Sequence, residues 1–308
     1  MGAVLAVDLG GTKCHSLLVD GDGTILHEDY RPTRQRPRAE DVLLEAIDAL
    51  HEVARLKGAT VVATAIGIPA LIDPTAGLVV GGINLGWDRF DLQALLDSRL
   101  TEPYVLDNDV NLAAIGEATV GAGRGAHSFV TVALGTGLGG AVVVDGTILR
   151  GHNNAAGEIG YLMASRRQLR HPGLLAMESL IGGWSIAART REAARRTAPG
   201  SRLDVDGLSA AEVFVAAEDG DETARDVLNE VLEYVAMTVI DITALLNPER
   251  VILDGGVGRA LAPYVPRIRE LVAPSVLVPP DLRVSTLTPN STLAGAVIEA
   301  RRVAGARA

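Results

Sequence analysis

Two glycine-rich turns carry residues suited to holding an anion: Asp8-Leu9-Gly10-Gly11-Thr12-Lys13 and Gly135-Thr136-Gly137-Leu138-Gly139-Gly140. Each follows a short apolar run and leads into another. Glycines at such a turn let backbone N–H groups approach phosphate oxygens closely. Thr12 adds a hydroxyl, and Asp8 at the end of the first run could hold Mg²⁺ through water, since that ion keeps much of its hydration shell. One such turn alone is no more than a glycine hairpin. Two at matching places suggest a phosphate chain clamped between two lobes. A dinucleotide fingerprint is a poor competitor, because a helix should follow its glycines and here a strand does.

Three further groups could act on a hydroxylated partner. Asp109, after Asn108, stands where a short apolar run turns helical, and a carboxylate there could accept a proton from a hydroxyl attacking a phosphoryl group. Aspartate is also a favoured N-cap, which on its own is the simpler reading. Glu158, within Ala156-Gly157-Glu158-Ile159-Gly160-Tyr161, and Glu178 could each accept two hydroxyl hydrogen bonds, although most glutamates are solvated surface residues. In Asn84-Leu85-Gly86-Trp87 the tryptophan reads as packing and Asn84 as the better ligand candidate.

The elements that must position these residues repeat. Ala3–Val7 reads as a strand, then the first glycine turn, a strand at Ser16–Val19, a turn at Asp20-Gly21-Asp22-Gly23, and a strand at Thr24–Leu26. The same meander recurs as Phe129–Leu134, the second glycine loop over 135–140, Ala141–Val144, Asp145-Gly146 and Thr147–Leu149. Asp41–Lys57 is expected to be a helix ending at Gly58, with Leu43, Ile47, Leu50 and Ala54 on one face. Val61–Ile68 and Val105–Leu106 read as strands, Arg31–Pro37 as a polar loop. Thr223–Leu246 reads as a long helix stopped before Pro248, and Val251–Leu253 as a strand running into Asp254-Gly255-Gly256.

Composition narrows the class. The 308 residues suit two lobes, and 48% hydrophobic against 21% charged residues is a globular balance. The net charge of −10 argues against a dominant nucleic-acid-binding surface. A single cysteine, Cys14, excludes an intrachain disulfide and a cysteine-built zinc site. No stretch of about 18 uninterrupted apolar residues calls for a membrane, and the opening residues do not read as a signal peptide. A cytoplasmic protein is expected.

Taken with GIPALID, INLGW, DNDVNLAAIGE, AAGEIGY, LNPERVILDGGVG and STLAGA, the two glycine turns make the sequence resemble the ROK family in its glucokinase-like, kinase-only form, from Leu5 to about Ala300. The resemblance implies an α/β, two-lobed actin- and hexokinase-like (ribonuclease H-like) fold. One lobe would cover residues 1–115, with a C-terminal helix over 290–308 returning to it, and the other 116–289. It implies ATP-dependent phosphorylation of a hexose, expected at the 6-hydroxyl, with ATP and Mg²⁺ and without nucleic acid or membrane as partners. A homodimer or higher homo-oligomer is expected. Asp109 would be the catalytic base. Asn84, Asn108, Gly137, Glu158, Tyr161 and Glu178 would meet the sugar beside Asp109. Asp8, Gly10, Gly11, Thr12, Lys13, Gly135, Thr136 and Gly137 would clamp the phosphates, and Gly255 and Gly256 would support the nucleotide end.

Departures from the family pattern bear on the sugar. Tyr161 stands where a zinc-binding histidine is usual, and Met163–Met177 lacks the family's cysteines, so no zinc is expected. Ala70, Asn154 and Asp254 replace glycines. An amino-sugar kinase, for N-acetylmannosamine or kanosamine, is the enzymatic alternative, and a non-catalytic sugar-binding regulator is the alternative of another class. The first phosphate-loop strand lies within the opening residues, so no helix-turn-helix is expected ahead of it.

Overall fold

In the computed structural model, the apolar run that opens the chain becomes β1 (Gly2–Leu9), which turns through the first glycines into the antiparallel β2 (Lys13–Asp20). Residues 2–34, 36, 38–170, 177–197 and 200–306 are described. β3 (Ile25–Pro32), α1 (Ala39–Leu56), β4 (Thr60–Ile68), β5 (Leu71–Ile72), β6 (Val79–Gly82), β7 (Trp87–Phe90), α2 (Leu92–Asp97), β8 (Tyr104–Asn108) and α3 (Asp109–Val120) follow. Next come β9 (Phe129–Leu134), β10 (Leu138–Val144), β11 (Thr147–Ile148), α4 (Arg166–Arg170), α5 (Glu178–Ile181), α6 (Gly183–Thr197), α7 (Ala210–Glu218) and α8 (Glu222–Leu246). β12 (Arg250–Asp254), α9 (Gly255–Ala260), α10 (Val265–Val272), β13 (Asp281–Val284) and α11 (Ser291–Gly305) complete the chain.

Two compact units result, one of Met1–Arg124, Arg150–Ala156 and Leu287–Ala308, the other of Gly125–Leu149 and Gly157–Thr286. The first unit thus runs beyond residue 115 and takes in a short excursion from the middle of the chain. Its sheet has the order β3-β2-β1-β4-β8, and the second unit's sheet has the order β11-β10-β9-β12-β13. The orders correspond strand for strand. In both, the glycine turn joins the central strand to its antiparallel neighbour, and the next strand pairs with the central one in parallel.

In the first unit β1 is apolar at nearly every position because helices cover both sheet faces. Leu5, Val7 and Leu9 pack into a core with Leu43, Ile47 and Leu50 of α1. Val4 and Ala6 pack on the other face, with Leu112 of α3 and Leu293 and Ala296 of α11. Helices α3 and α11 cross so closely that a Cβ on Gly116 would lie 2.6 Å from the Ser291 carbonyl oxygen. A large-to-small change such as Leu43→Ala costs about 2–5 kcal/mol in such a core. The second unit's core gathers Val130, Val132 and Leu134 with Val231, Val235 and Val239 of α8.

Several boundaries differ from the sequence expectation. Leu138–Gly140 belong to the β10 ladder, paired with Leu134, Ala133 and Val132, so the second glycine loop contracts to Gly135–Gly137. β3 extends to Pro32 because its backbone finds the edge of β2, which shortens the expected polar loop; Gln35 and Pro37 of that loop lie outside the described residues. Gly255 and Gly256 open α9 and do not form a free loop. The hairpins β5-β6-β7 form a small third sheet that the sequence did not announce. Trp87 is buried there, donating from Nε1 to Glu40 Oε2 at 3.0 Å and stacking on Phe90 at 4.8 Å. Among the described residues no helix is long and apolar enough to cross a membrane.

Candidate active site

The first unit carries one set of the candidate residues. Asp8 lies one residue before the end of β1, and its Oδ2 accepts a hydrogen bond from Asn290 Nδ2 at 2.9 Å. Asn290 is itself fixed as the N-cap of α11, accepting from Leu293 N at 2.7 Å. Gly10 N donates to Lys13 O at 2.8 Å and closes the turn. A Cβ on Gly11 would stand 2.7 Å from Asn84 Cβ, so glycine is needed where the 83–85 turn passes against the loop. Asn84 and the first glycine turn are thereby brought together. Thr12 is exposed, and its carbonyl accepts from Thr33 N at 2.9 Å. Lys13 lies with its ammonium 5.2 Å from the Tyr30 ring centroid.

At the start of α3 the capping duty falls on Asn108. Its Oδ1 accepts from Val110 N at 2.9 Å and from Asn111 N at 3.2 Å. The reading of Asp109 as the cap is therefore corrected: Asp109 is the first helical residue, half-buried, with its Oδ1 2.9 Å from Val110 N. Asn108 Nδ2 donates to Ala70 O over a long 3.4 Å, and an amide nitrogen has a second hydrogen that suits it to donate to a ligand as well.

Asp107, just before the pair, carries more hydrogen bonds than any sequence pattern suggested. It accepts from Asn108 N at 2.8 Å and Asn111 Nδ2 at 3.1 Å, and from both Arg150 terminal nitrogens at 2.9 and 2.5 Å. Arg150 opens the 150–156 excursion, which Asn154 also anchors by donating to Ile72 O at 2.8 Å. Asn154 has φ 62°, the left-handed conformation that glycine occupies most easily and asparagine tolerates. Its replacement of a family glycine is thus conformationally accommodated. Asp254, another such replacement, ends β12, needs no glycine at φ −131° and pairs with Arg259 at 3.1 Å.

The second unit carries the other set. Glu178 Oε2 accepts from Leu138 N at 2.9 Å, and a Cβ on Gly137 would collide with that oxygen. Gly137 and Glu178 are therefore in direct contact. Glu158 is half-buried, and burial first, then the charge of Glu178, raises its carboxyl above the usual range. Tyr161 follows in the same short turn, its N–H donating to Glu158 O at 3.2 Å. The residue is 63% exposed, so it does not fill a core vacancy in its unit. Gly255, at φ 79°, packs its Cα against the Leu134 carbonyl and Gly135, while Gly256 is open. Among the described residues no three His, Cys, Asp or Glu side chains form a metal-holding group, and His171, within the segment expected to lack zinc, lies outside those residues.

Residues the sequence did not single out are Asp107, Arg150, Asn290 and the pair Gly182-Gly183. Asn290 had a signal, a polar cap after Pro289 and before an apolar helix. Gly182-Gly183 had one in the doublet itself. The Asp107–Arg150 pair had none, because it closes across 43 residues.

The sequence profile of the ROK family matches residues 4–301. The chain belongs to the ROK family. Among its ROK relatives, the glucokinase of Halalkalibacterium halodurans is 30% identical over 301 residues, 92% of this chain and 90% of that protein. The glucokinase of Streptomyces coelicolor is 31% identical over 270 residues, 83% of this chain and 82% of that one. A solved ROK glucokinase from Streptomyces griseus, in complex with glucose and AMPPNP, matches with a TM-score of 0.82 at 28% identity, covering 98% of this chain and 100% of that chain. The matching sheets of this ROK protein are those of the actin- and hexokinase-like α/β fold.

Proposed function

We propose that this ROK protein phosphorylates a hexose from ATP, with glucose as the leading substrate and the 6-hydroxyl as acceptor. The observation that carries the reading is the start of α3, where Asn108 caps the helix and Asp109 contributes a carboxylate that the cap does not require. Its relatives named glucokinase, and the neighbour holding glucose and AMPPNP, support the same reaction class.

In this reading Asn84, Asn108, Glu158 and Glu178 take the sugar hydroxyls, together with Tyr161. Asp109 accepts the proton of the 6-hydroxyl as that oxygen bonds to the γ-phosphorus. The bond from phosphorus to the bridging oxygen breaks, and ADP leaves with the electron pair. The turn at Gly10–Lys13 and the loop at Gly135–Gly137 offer donors to phosphate oxygens, and Gly255 and Gly256 support the nucleotide end. Positioning and neutralised charge supply most of the catalysis for such a transfer. The Asp8 carboxylate, anchored by Asn290, fits a hydrated Mg²⁺, the hard cation that oxygen donors prefer. When bound, that ion would neutralise phosphate charge.

The test is coupled ADP release from the purified chain over glucose, mannose, N-acetylglucosamine, N-acetylmannosamine and kanosamine, with phosphorus NMR of the product. Glucose-dependent release and a 6-phosphate are expected. Sugar binding with no release from any sugar would replace the kinase by a non-catalytic regulator.

A further inference from the structure

The backbone groups of residues 135–138 can be followed one by one. Gly135 O accepts from Gly183 N at 3.0 Å, and Thr136 O accepts from Trp184 N at 3.2 Å. Both carbonyls are thus tied to the beginning of α6. In a planar trans peptide the N–H points opposite to the C=O of the same unit. The Thr136 and Gly137 N–H groups are therefore turned away from α6, side by side, the arrangement of an anion-binding nest. Gly135 N closes the turn on Gly137 O at 3.1 Å. Leu138 N, the third consecutive amide, goes to Glu178 Oε2 at 2.9 Å.

Glu178 acts on this loop twice. Its carboxylate takes Leu138 N–H across the space that Gly137 leaves by lacking a Cβ. Its main-chain carbonyl accepts from Gly182 N at 2.8 Å, shaping the turn that places Gly183 and Trp184 against the loop. That turn tolerates no larger residue: a Cβ on Gly183 would lie 2.6 Å from Gly135 O, and one on Gly182 2.8 Å from Glu178 O.

We infer that Glu178 is a positioning residue for the nucleotide, latching the second glycine loop so that the Thr136 and Gly137 amides face phosphate, in addition to its place among the sugar residues. The inference rests on the kinase reading above. It makes a sugar-side carboxylate a determinant of nucleotide affinity even when no sugar is bound.

Two substitutions separate reach from charge. Glu178→Gln keeps an acceptor oxygen at the same distance but removes the charge. Glu178→Asp keeps the charge and withdraws it by one methylene. Isothermal titration of the full chain with ADP, without sugar, should give a Kd for Glu178→Gln within about threefold of wild type, since an amide oxygen still accepts the bond. For Glu178→Asp the Kd should rise about tenfold, the loss of one charge-assisted hydrogen bond. Sugar KM should rise in both. Amide exchange in the sugar-free protein supplies a second readout: Leu138 N–H should be protected in wild type and in Glu178→Gln, and exposed to exchange in Glu178→Asp. Equal ADP affinity for wild type and Glu178→Asp would overturn the latch and leave the kinase reading standing. So would rapid exchange of Leu138 N–H in wild type, which decides the matter even if Glu178→Asp fails to fold. Failure of wild type to bind ADP at all would instead overturn the kinase reading and the latch with it.

Discussion

Replacing Arg150 by alanine removes two hydrogen bonds, of 2.9 and 2.5 Å, from a carboxylate whose side chain is 7% exposed. A hydrogen bond to a charged group contributes about 1.5–3 kcal/mol, and breaking a fully buried pair costs about 3–5 kcal/mol. Two facts pull the cost down. The arginine side chain is 44% exposed, so water already screens the pair. Asp107 also keeps Asn108 N and Asn111 Nδ2 as donors. A loss of about 2 kcal/mol remains, or about 4–8 °C in the melting of a unit of this size. The sequence offers a unit-specific probe in its two tryptophans, Trp87 in the first unit and Trp184 in the second. In a Trp184→Phe background, Trp87 fluorescence reports the first unit, where Arg150→Ala should show the whole shift. Arg150→Lys should recover less than half of it, because an ammonium cannot reproduce the two-pronged contact. Asn108 and Asp109 follow Asp107 directly, so kcat should fall as well, by up to about 10²-fold for a displacement near 1 Å. An Arg150→Ala protein melting within about 1 °C of its parent, with unchanged kcat, would refute the reasoning and leave the β8–α3 junction to its remaining hydrogen bonds.

Asp109→Asn should lower kcat by about 10²–10⁴-fold while the melting temperature stays near wild type, because Asn108 caps α3; near-normal turnover would place the base elsewhere. Glu158→Gln should raise the sugar KM and leave the ADP Kd unmoved in titration, since the carboxylate that takes an amide of the glycine loop is that of Glu178. His51 sits with Nδ1 3.0 Å from Ile47 O and Nε2 3.0 Å from Glu102 Oε1, and the Glu102 hydrogen bond, outweighing burial, raises its pKa. Its contribution to stability is therefore complete below the unfolded value and lost as pH rises through the raised one, so a melting curve followed from pH 6 upward should decline, and His51→Gln should flatten it. Burial works against ionised Glu102, but its bonds from His51 and Thr64 prevail and hold it at about 2, so its share persists above the unfolded value and vanishes as pH falls toward about 2. Tyr161→Phe should change the ranking across the sugar panel, by about 1–3 kcal/mol for the best sugar if the hydroxyl meets it; an unaltered ranking would remove Tyr161 from the sugar's surroundings.

Glycine marked part of the candidate site in the sequence. Gly10, Gly11 and Gly137 sit at turns where the backbone comes close to another residue, and a residue with no side chain at such a place is informative without its neighbours. The strand–turn–strand repeat was legible for the same local reason. What sequence could not give were the contacts that close over long separations. Nothing in its neighbours along the chain marks Arg150, and only the fold brings it to Asp107. The split of duties between Asn108 and Asp109 was hidden because both are good capping residues, and only the backbone at 108, at φ −62° and ψ 139°, decides between them. Glu178 was found through its likeness to sugar-binding carboxylates, yet its bond to Leu138 depended on a loop length that the glycine run overstated.

The first unit is assembled from three stretches of chain, the last beginning at Leu287. Arg301 of α11 donates to the carbonyl of Asp20 across 281 residues, and α11 supplies Leu293 and Ala296 to one face of the unit's sheet. During synthesis, which runs at about 5–20 residues per second, the β1–β2 hairpin emerges early but cannot cover that face until almost the whole chain has left the ribosome. The second unit, complete by Thr286, has all of its strands available sooner. The half encoded first is therefore the half finished last, and a nascent chain exposes the apolar face of Val4 and Ala6 for nearly the full time of translation. Truncation at the C-terminus should consequently damage the N-terminal sheet, giving a chain that is lost to aggregation before it can be tested for any activity.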